Sequence, residues 1–195
     1  EKKLTAYHEA GHALATYFLP GQDPVHQISI IPRGMAGGYT MSLPAEDKSY
    51  RSKGDMLDDI VVLLGGRVAE ALVLDDISTG ASNDIMQATN IARNMVTRYG
   101  MSENLGPIVY GSGEHEVFLG KDYSSVRNYS EAVAADIDEE VKKIIATSYN
   151  RCEEIIKGNI DKLRRVLDNH VVMKVCDAKM RTAKSCNVTV NERGS

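Results

Sequence analysis

Cysteine is scarce in this chain of 195 residues. Only Cys152, Cys176 and Cys186 are present, odd in number and far apart. None forms a C-x-x-C pair, so a thiolate zinc site is not expected, and a scattered odd set makes no disulfide framework. The natural reading is a reducing compartment. Long apolar runs are missing too. No stretch of about eighteen apolar residues occurs, so nothing here is expected to span a membrane. The first residues are not expected to form a signal peptide. Excess positive charge is also lacking: the formal net charge is −4, which removes the bulk-charge argument for nucleic acid. Gly111-Ser112-Gly113 lacks the third glycine of a dinucleotide fingerprint. Internal repeats and low-complexity segments are absent. The first residues, Glu1-Lys2-Lys3, include no initiator methionine, and the chain reads as a piece of something larger.

What is there is concentrated near the start. His8-Glu9-Ala10-Gly11-His12 is the pattern H-E-x-x-H. Residues four apart on a helix lie on one face about one turn apart. Two imidazoles so placed can bind one zinc ion, and the intervening glutamate projects beside the metal, where it can polarise water. The same five letters also fit an ordinary amphipathic helix with surface histidines. The context weighs against that: Leu4, Ala6, Tyr7, Ala10, Ala13, Leu14, Ala15, Tyr17 and Phe18 make the stretch apolar almost all round, so the helix should be buried. Buried histidines and a buried glutamate need partners, and a metal ion meets that need. Gly11 weakens the helix but lets another backbone come close.

The pattern along the chain predicts a mainly α protein with a small β-hairpin or sheet. A helix over residues 3–18 ends at Leu19-Pro20-Gly21. Residues 25–31 and 37–43 read as two strands of a hairpin. Residues 55–74 are the most hydrophobic stretch, too long for a strand and therefore a buried helix. Gly65-Gly66 in its middle permits a close crossing, and Glu70 lies in an apolar context unusual for an unpaired carboxylate. A helix from about residue 82 to Tyr99 stops at Gly100. Asp84 sits in its first turn, where an acid balances the helix dipole or serves as a third metal ligand. Residues 102–120 are irregular. A long helix over 125–157 has an apolar stripe and a charged back, and a short helix covers 159–167. His26, His115 and His170 have ordinary structural explanations. From these residues alone, Asp84 and Glu70 both remain candidates for the third ligand.

Five segments then match one family in order: Tyr7 to Ala13, Ile30-Ile31-Pro32-Arg33-Gly34, Leu64 to Glu70, Ser78 to Ile85 and Ala92 to Met101. They resemble the peptidase domain of the FtsH family, the membrane-anchored, ATP-dependent zinc proteases of bacteria, mitochondria and chloroplasts. The resemblance implies a helical domain that assembles into a homohexamer. It implies one Zn2+ per chain held by His8, His12 and Asp84, with Glu9 as general base, and it puts Asp84 ahead of Glu70. Glu70 would then support the site from behind, holding a histidine ring. The resemblance covers residues 1–167, the expected peptidase domain. Residues 168–195 depart from it and read as a divergent tail, disordered or ending in an expression remnant at Gly194-Ser195. In the family an ATPase and two membrane helices precede this domain. The chain has no phosphate-binding loop, so ATP and membrane attachment are expected only through parts absent from it, the present fragment being soluble. The full-length protein would sit at the cytoplasmic face of a bacterial inner membrane.

The expected reaction is hydrolysis of peptide bonds in unfolded or membrane-extracted proteins. The second strand, with Gly37, Gly38, Tyr39, Thr40 and Met41, is expected to offer substrate an edge for strand addition. The rival expectation is a zinc-stabilised, ring-forming assembly module without activity of its own. Three recognised ligands rather than four argue against purely structural zinc. No Ser or Cys sits in a nucleophile motif.

Overall fold

A computed structural model describes residues 2–30, 38–43, 50–74, 76–111 and 129–165, and the backbone alone of 166–168 and 173–174. The described elements are α1 (Lys2–Phe18), β1 (Val25–Ser29), β2 (Tyr39–Ser42), α2 (Lys53–Leu74), a 3-10 turn (Thr79–Ala81), α3 (Ser82–Thr97), α4 (Glu131–Lys157), α5 (Ile160–Asp168) and β3 (Met173–Lys174). The fold is mainly helical with one small antiparallel sheet.

Helix α2 is the centre. It begins two residues earlier than its hydrophobic pattern suggests because Ser52 caps it. The Asp55 backbone N–H donates to Ser52 Oγ (3.0 Å), and the Ser52 N–H donates back to Asp55 Oδ2 (2.8 Å). This reciprocal pairing satisfies amide donors at the helix start. One side of α2 packs Val61 and Val68 against Tyr7, Ala10 and Leu14 of α1, Cys152 and Ile156 of α4 and Leu163 of α5. The other packs Ile60 and Leu64 against Ala88, Ala92, Met95 and Val96 of α3 and Ile137 and Val141 of α4. Both sides are buried, which explains the unbroken apolar run. Each fully buried side chain of this kind contributes roughly 1.5–3 kcal/mol relative to exposure.

The crossing of α1 over α2 sets the distance between the residues that matter. A Cβ added at Gly65 would stand 2.7 Å from the carbonyl oxygen of Gly11, and one at Gly11 would collide with the carbonyl of Gly65. Two glycines facing each other let the backbones touch. Any side chain at either position would push α1 outward.

The sheet has the order β2-β1-β3. Ile28 pairs with Thr40 and Ser29 with Tyr39, and the register shifts between Val25 and Gln27. Both strands are shorter than the sequence suggests: β1 ends at Ser29 and β2 runs over Tyr39–Ser42. The third strand is unforeseen. Met173 and Lys174, in the stretch read as a tail, pair with Ile28 and Gln27 of β1. Helix α4 starts behind Ser130, whose hydroxyl accepts from the Val133 N–H. The predicted start at residue 125 lies outside the described residues. Its charged back is solvated as expected at Asp136, Glu139, Lys142 and Lys143.

Candidate metal centre

Helix α1 brings the first two side chains together by periodicity alone. The Nε2 atoms of His8 and His12 lie 3.0 Å apart, with their rings nearly perpendicular. The third comes from the start of α3. Asp84 Oδ2 is 3.2 Å from His8 Nε2 and 3.4 Å from His12 Nε2. Among the described residues these three form the one cluster of His, Cys, Asp or Glu with metal-binding proximity.

The protonation of the rings follows from their outer partners. His8 Nδ1 lies 2.8 Å from Glu70 Oε1. A carboxylate offers only acceptors, so Nδ1 carries the proton and donates. His12 Nδ1 lies 2.7 Å from the Val62 carbonyl oxygen, and the same logic holds. In the neutral rings both Nε2 atoms are therefore lone-pair acceptors, facing each other and a carboxylate oxygen. Three acceptors with no donor between them repel unless a cation joins them. A tetrahedral zinc ion with bonds of about 2.0–2.1 Å needs ligand atoms about 3.3 Å apart. The observed edges of 3.0, 3.2 and 3.4 Å match that need.

Without a metal, the same arrangement favours a proton on His8. Burial lowers the His8 pKa, but its hydrogen bonds to Asp84 and Glu70 outweigh burial and raise it above the ordinary imidazole value. Burial raises that of Asp84, yet hydrogen bonds from His12 and His8 prevail and hold its carboxyl far below the usual carboxylate range.

Glu70 occupies a different place. It is fully buried. Its Oε2 accepts from the Ser78 backbone N–H (3.0 Å) and the Ser78 hydroxyl (3.1 Å), while Oε1 takes the His8 Nδ1 proton. It thus stands behind the ring, on the side away from Nε2. Arg67 Nη2 donates to the Ser78 carbonyl (2.9 Å) and holds this loop to α2. Gly66 lies under the His8 ring.

Glu9 is buried at 7 % exposure and shares a cleft of about 900 Å³ with His8, His12, Asp84, Gly38, Tyr39 and Thr40. The Thr40 hydroxyl lies 2.7 Å from Glu9 Oε2. Of the residues expected on the substrate strand, Met41 is not among those lining the cleft and is exposed. Gly37 lies outside the described residues, as do His115 and His170. Gly38 has its space filled from within the fold: a Cβ there would meet the Ser29 carbonyl at 2.7 Å and Glu9 Cγ at 2.9 Å. His26 is exposed on β1 and does not join the site.

Sequence reasoning missed Ser78, the Val62 carbonyl and the Thr40 to Glu9 contact. Ser78 had a signal, since it opens one of the matched segments. The Val62 carbonyl had none, because every residue carries one.

A family model described as peptidase family M41 matches residues 1–180. The chain belongs to peptidase family M41. Relatives within it include proteins named ATP-dependent zinc metalloprotease FtsH. That of Caldicellulosiruptor bescii is 64 % identical over 166 residues, covering 85 % of this chain and 27 % of the relative. That of a Thermoanaerobacter species is 65 % identical over the same length, with the same coverage. The Thermotoga maritima protein is 56 % identical over 172 residues, 88 % of this chain and 28 % of the relative. The chain thus aligns with the FtsH peptidase domain and spans about a quarter of the length of the curated relatives it matches. The M41 match runs past Leu167, where the visible resemblance ends, and takes in β3.

Proposed function

We propose that this M41 chain is a zinc endopeptidase domain, with His8, His12 and Asp84 holding the metal and Glu9 acting as general base. The observation that carries the reading is the convergence of three acceptor atoms, with edges of 3.0, 3.2 and 3.4 Å, at the wall of a cleft that also holds Glu9.

Zinc, when bound, supplies an electrophile and brings the pKa of water to about 7. Two neutral imidazoles and one carboxylate leave that electrophile a net positive charge. Glu9 takes the proton of the attacking water and returns it to the leaving amine. Glu70 and the Val62 carbonyl hold the rings in the tautomer that presents Nε2. The outer edge of β2 presents backbone groups to an extended polypeptide.

In the longer protein, the same reading gives a homohexamer fed by an AAA-type ATPase with unfolded or membrane-extracted polypeptides. Zn2+ then acts in this domain and ATP elsewhere. In this reading membrane attachment belongs to other segments of the longer protein; no helix among the described residues is long and apolar enough to cross a membrane. The active face lies toward the bacterial cytoplasm, and nucleic acid is not a partner.

The test is metal content and casein cleavage measured on the same samples. Wild type should carry one zinc per chain and cleave. His12→Ala and Asp84→Ala should lose both properties, and Glu9→Gln should keep zinc but not cleave. Zinc retained in Asp84→Ala removes it from the ligand set. Zinc without casein cleavage in wild type favours the assembly module or a need for the ATPase to deliver substrate.

A further inference from the structure

We propose that Thr40 is a positioning residue for Glu9: its hydroxyl fixes the carboxylate that takes the proton from water. The inference rests on the protease reading and adds to it a residue that the H-E-x-x-H pattern does not contain.

The geometry is specific. Thr40 Oγ1 lies 2.7 Å from Glu9 Oε2 and 3.1 Å from the Glu9 backbone oxygen. The hydroxyl has one proton. The shorter, charge-assisted partner takes most of it. A glutamate side chain has three rotatable bonds, and a carboxylate facing a cleft has no intrinsic reason to keep one orientation. Tying Oε2 to β2 fixes the plane of the carboxylate and hence the place of Oε1.

The rest of the strand is shaped for this contact. Gly38 immediately precedes β2, two residues before Thr40, and both positions meet Glu9. At Gly38 the missing Cβ leaves room for Glu9 Cγ; at Thr40 the hydroxyl meets the carboxylate. One residue admits the stem of the glutamate and the other takes its head. Ile28 of β1 pairs with Thr40 and is buried, which anchors the strand at that position. An oriented base matters because proton transfer requires hydrogen-bond reach to the attacking water. A serine or threonine two residues past the glycine is what the role requires. Valine keeps the shape and the strand propensity and loses only the hydroxyl.

The experiment compares wild type, Thr40→Val and Thr40→Ser, each loaded with one zinc per chain, on an internally quenched peptide. Without the hydroxyl the carboxylate samples orientations that do not reach the attacking water, which predicts a kcat about 10-fold or more lower in Thr40→Val. KM should stay within about twofold, because uniform substrate binding is untouched. Thr40→Ser should recover most of the loss. A second readout needs no activity. In the metal-free chain, Thr40→Val should lower the melting temperature when Glu9 is present and leave it unchanged in a Glu9→Ala background, since a pairwise contact vanishes with either partner. Equal kcat in Thr40→Val and wild type overturns the proposal. So does a rise in KM at constant kcat, which makes Thr40 a substrate contact, or a Thr40→Ser variant as slow as Thr40→Val. Wild type that binds zinc and cleaves nothing overturns the protease reading, a failure seen in the wild-type arm alone.

Discussion

Gly66 of α2 lies directly beneath the imidazole of His8: a Cβ built on it would stand 2.6 Å from Nε2. The helix that buries the core therefore also forms the floor on which this imidazole rests. Its absent side chain sets how deeply that ring sits.

Gly66→Ala should move the ring rather than unfold the chain. Overpacking of this kind costs roughly 1–3 kcal/mol, which a domain of this size survives. The displaced Nε2 no longer completes the triangle with His12 and Asp84. Zinc affinity, measured by competition with a chromophoric chelator, should fall at least about 10-fold. Unchanged affinity means that the ring has room to tilt in place.

Glu70 and Asp84 should separate cleanly by mutation. Asp84 faces Nε2 of both histidines, whereas Glu70 faces Nδ1 of one. Glu70→Gln should weaken zinc about 10- to 100-fold, as loss of an outer partner does. Asp84→Ala should remove stable binding altogether. Ser78→Ala leaves the Ser78 backbone N–H on Glu70, so its effect should be smaller than that of Glu70→Gln. Isothermal titration with zinc ranks the three, and a reversed order of Glu70 and Asp84 would exchange their roles.

Acid should weaken metal binding, starting at a pH above the ordinary imidazole value. His8 must lose a proton to bind zinc, and its pKa is raised in the metal-free chain. In that state His8 stabilises the fold at low pH, and the contribution is lost as pH rises through its raised value. Asp84, depressed, contributes above the usual carboxylate range and is lost only as pH falls through its own lower value. The metal-free chain is thus best held between those limits, where proton and zinc compete. Apparent zinc affinity, measured with a competing chelator from pH 8 to pH 5, should already be falling at a pH above about 6.5, where the metal-free His8 takes up its proton. An affinity that stays flat down to that pH contradicts a raised His8.

Cys152 should be inert until the chain unfolds. It is fully buried between α1, α2 and α5, and burial, assisted by Glu153, pushes its thiol up to about 12. The thiolate is the reactive species, so iodoacetamide at pH 8 should label the Cys152 peptide only in denaturant. The group also links stability to alkali. Its folded pKa is raised, so its contribution is complete below the unfolded value of about 8.5 and declines as pH climbs toward about 12. Labelling of native Cys152, read by peptide mass spectrometry, would mean that α4 opens locally.

Much of this was legible before any coordinates. The helix pattern of α1 orients His8, Glu9 and His12, because the backbone itself sets a turn of 3.6 residues. The paired glycines of α2, the apolar run around them and the loop ahead of Asp84 were readable for the same reason: each is a local preference of a few neighbouring residues. What the chain order does not contain is which distant groups meet. Asp84 reaches His8 across 76 positions, and no local rule distinguishes it from Glu70, which is also acidic and also on a helix. The crossing at Gly11 and Gly65 makes that choice, since it brings Glu70 behind the His8 ring and leaves the front to Asp84. The pairing of β1 and β2 decides the fate of Thr40 in the same way. A threonine on a strand is ordinary in sequence, and only packing against α1 places its hydroxyl on Glu9. Helical periodicity determined which side chains share a face, while close packing between elements determined which atoms they touch.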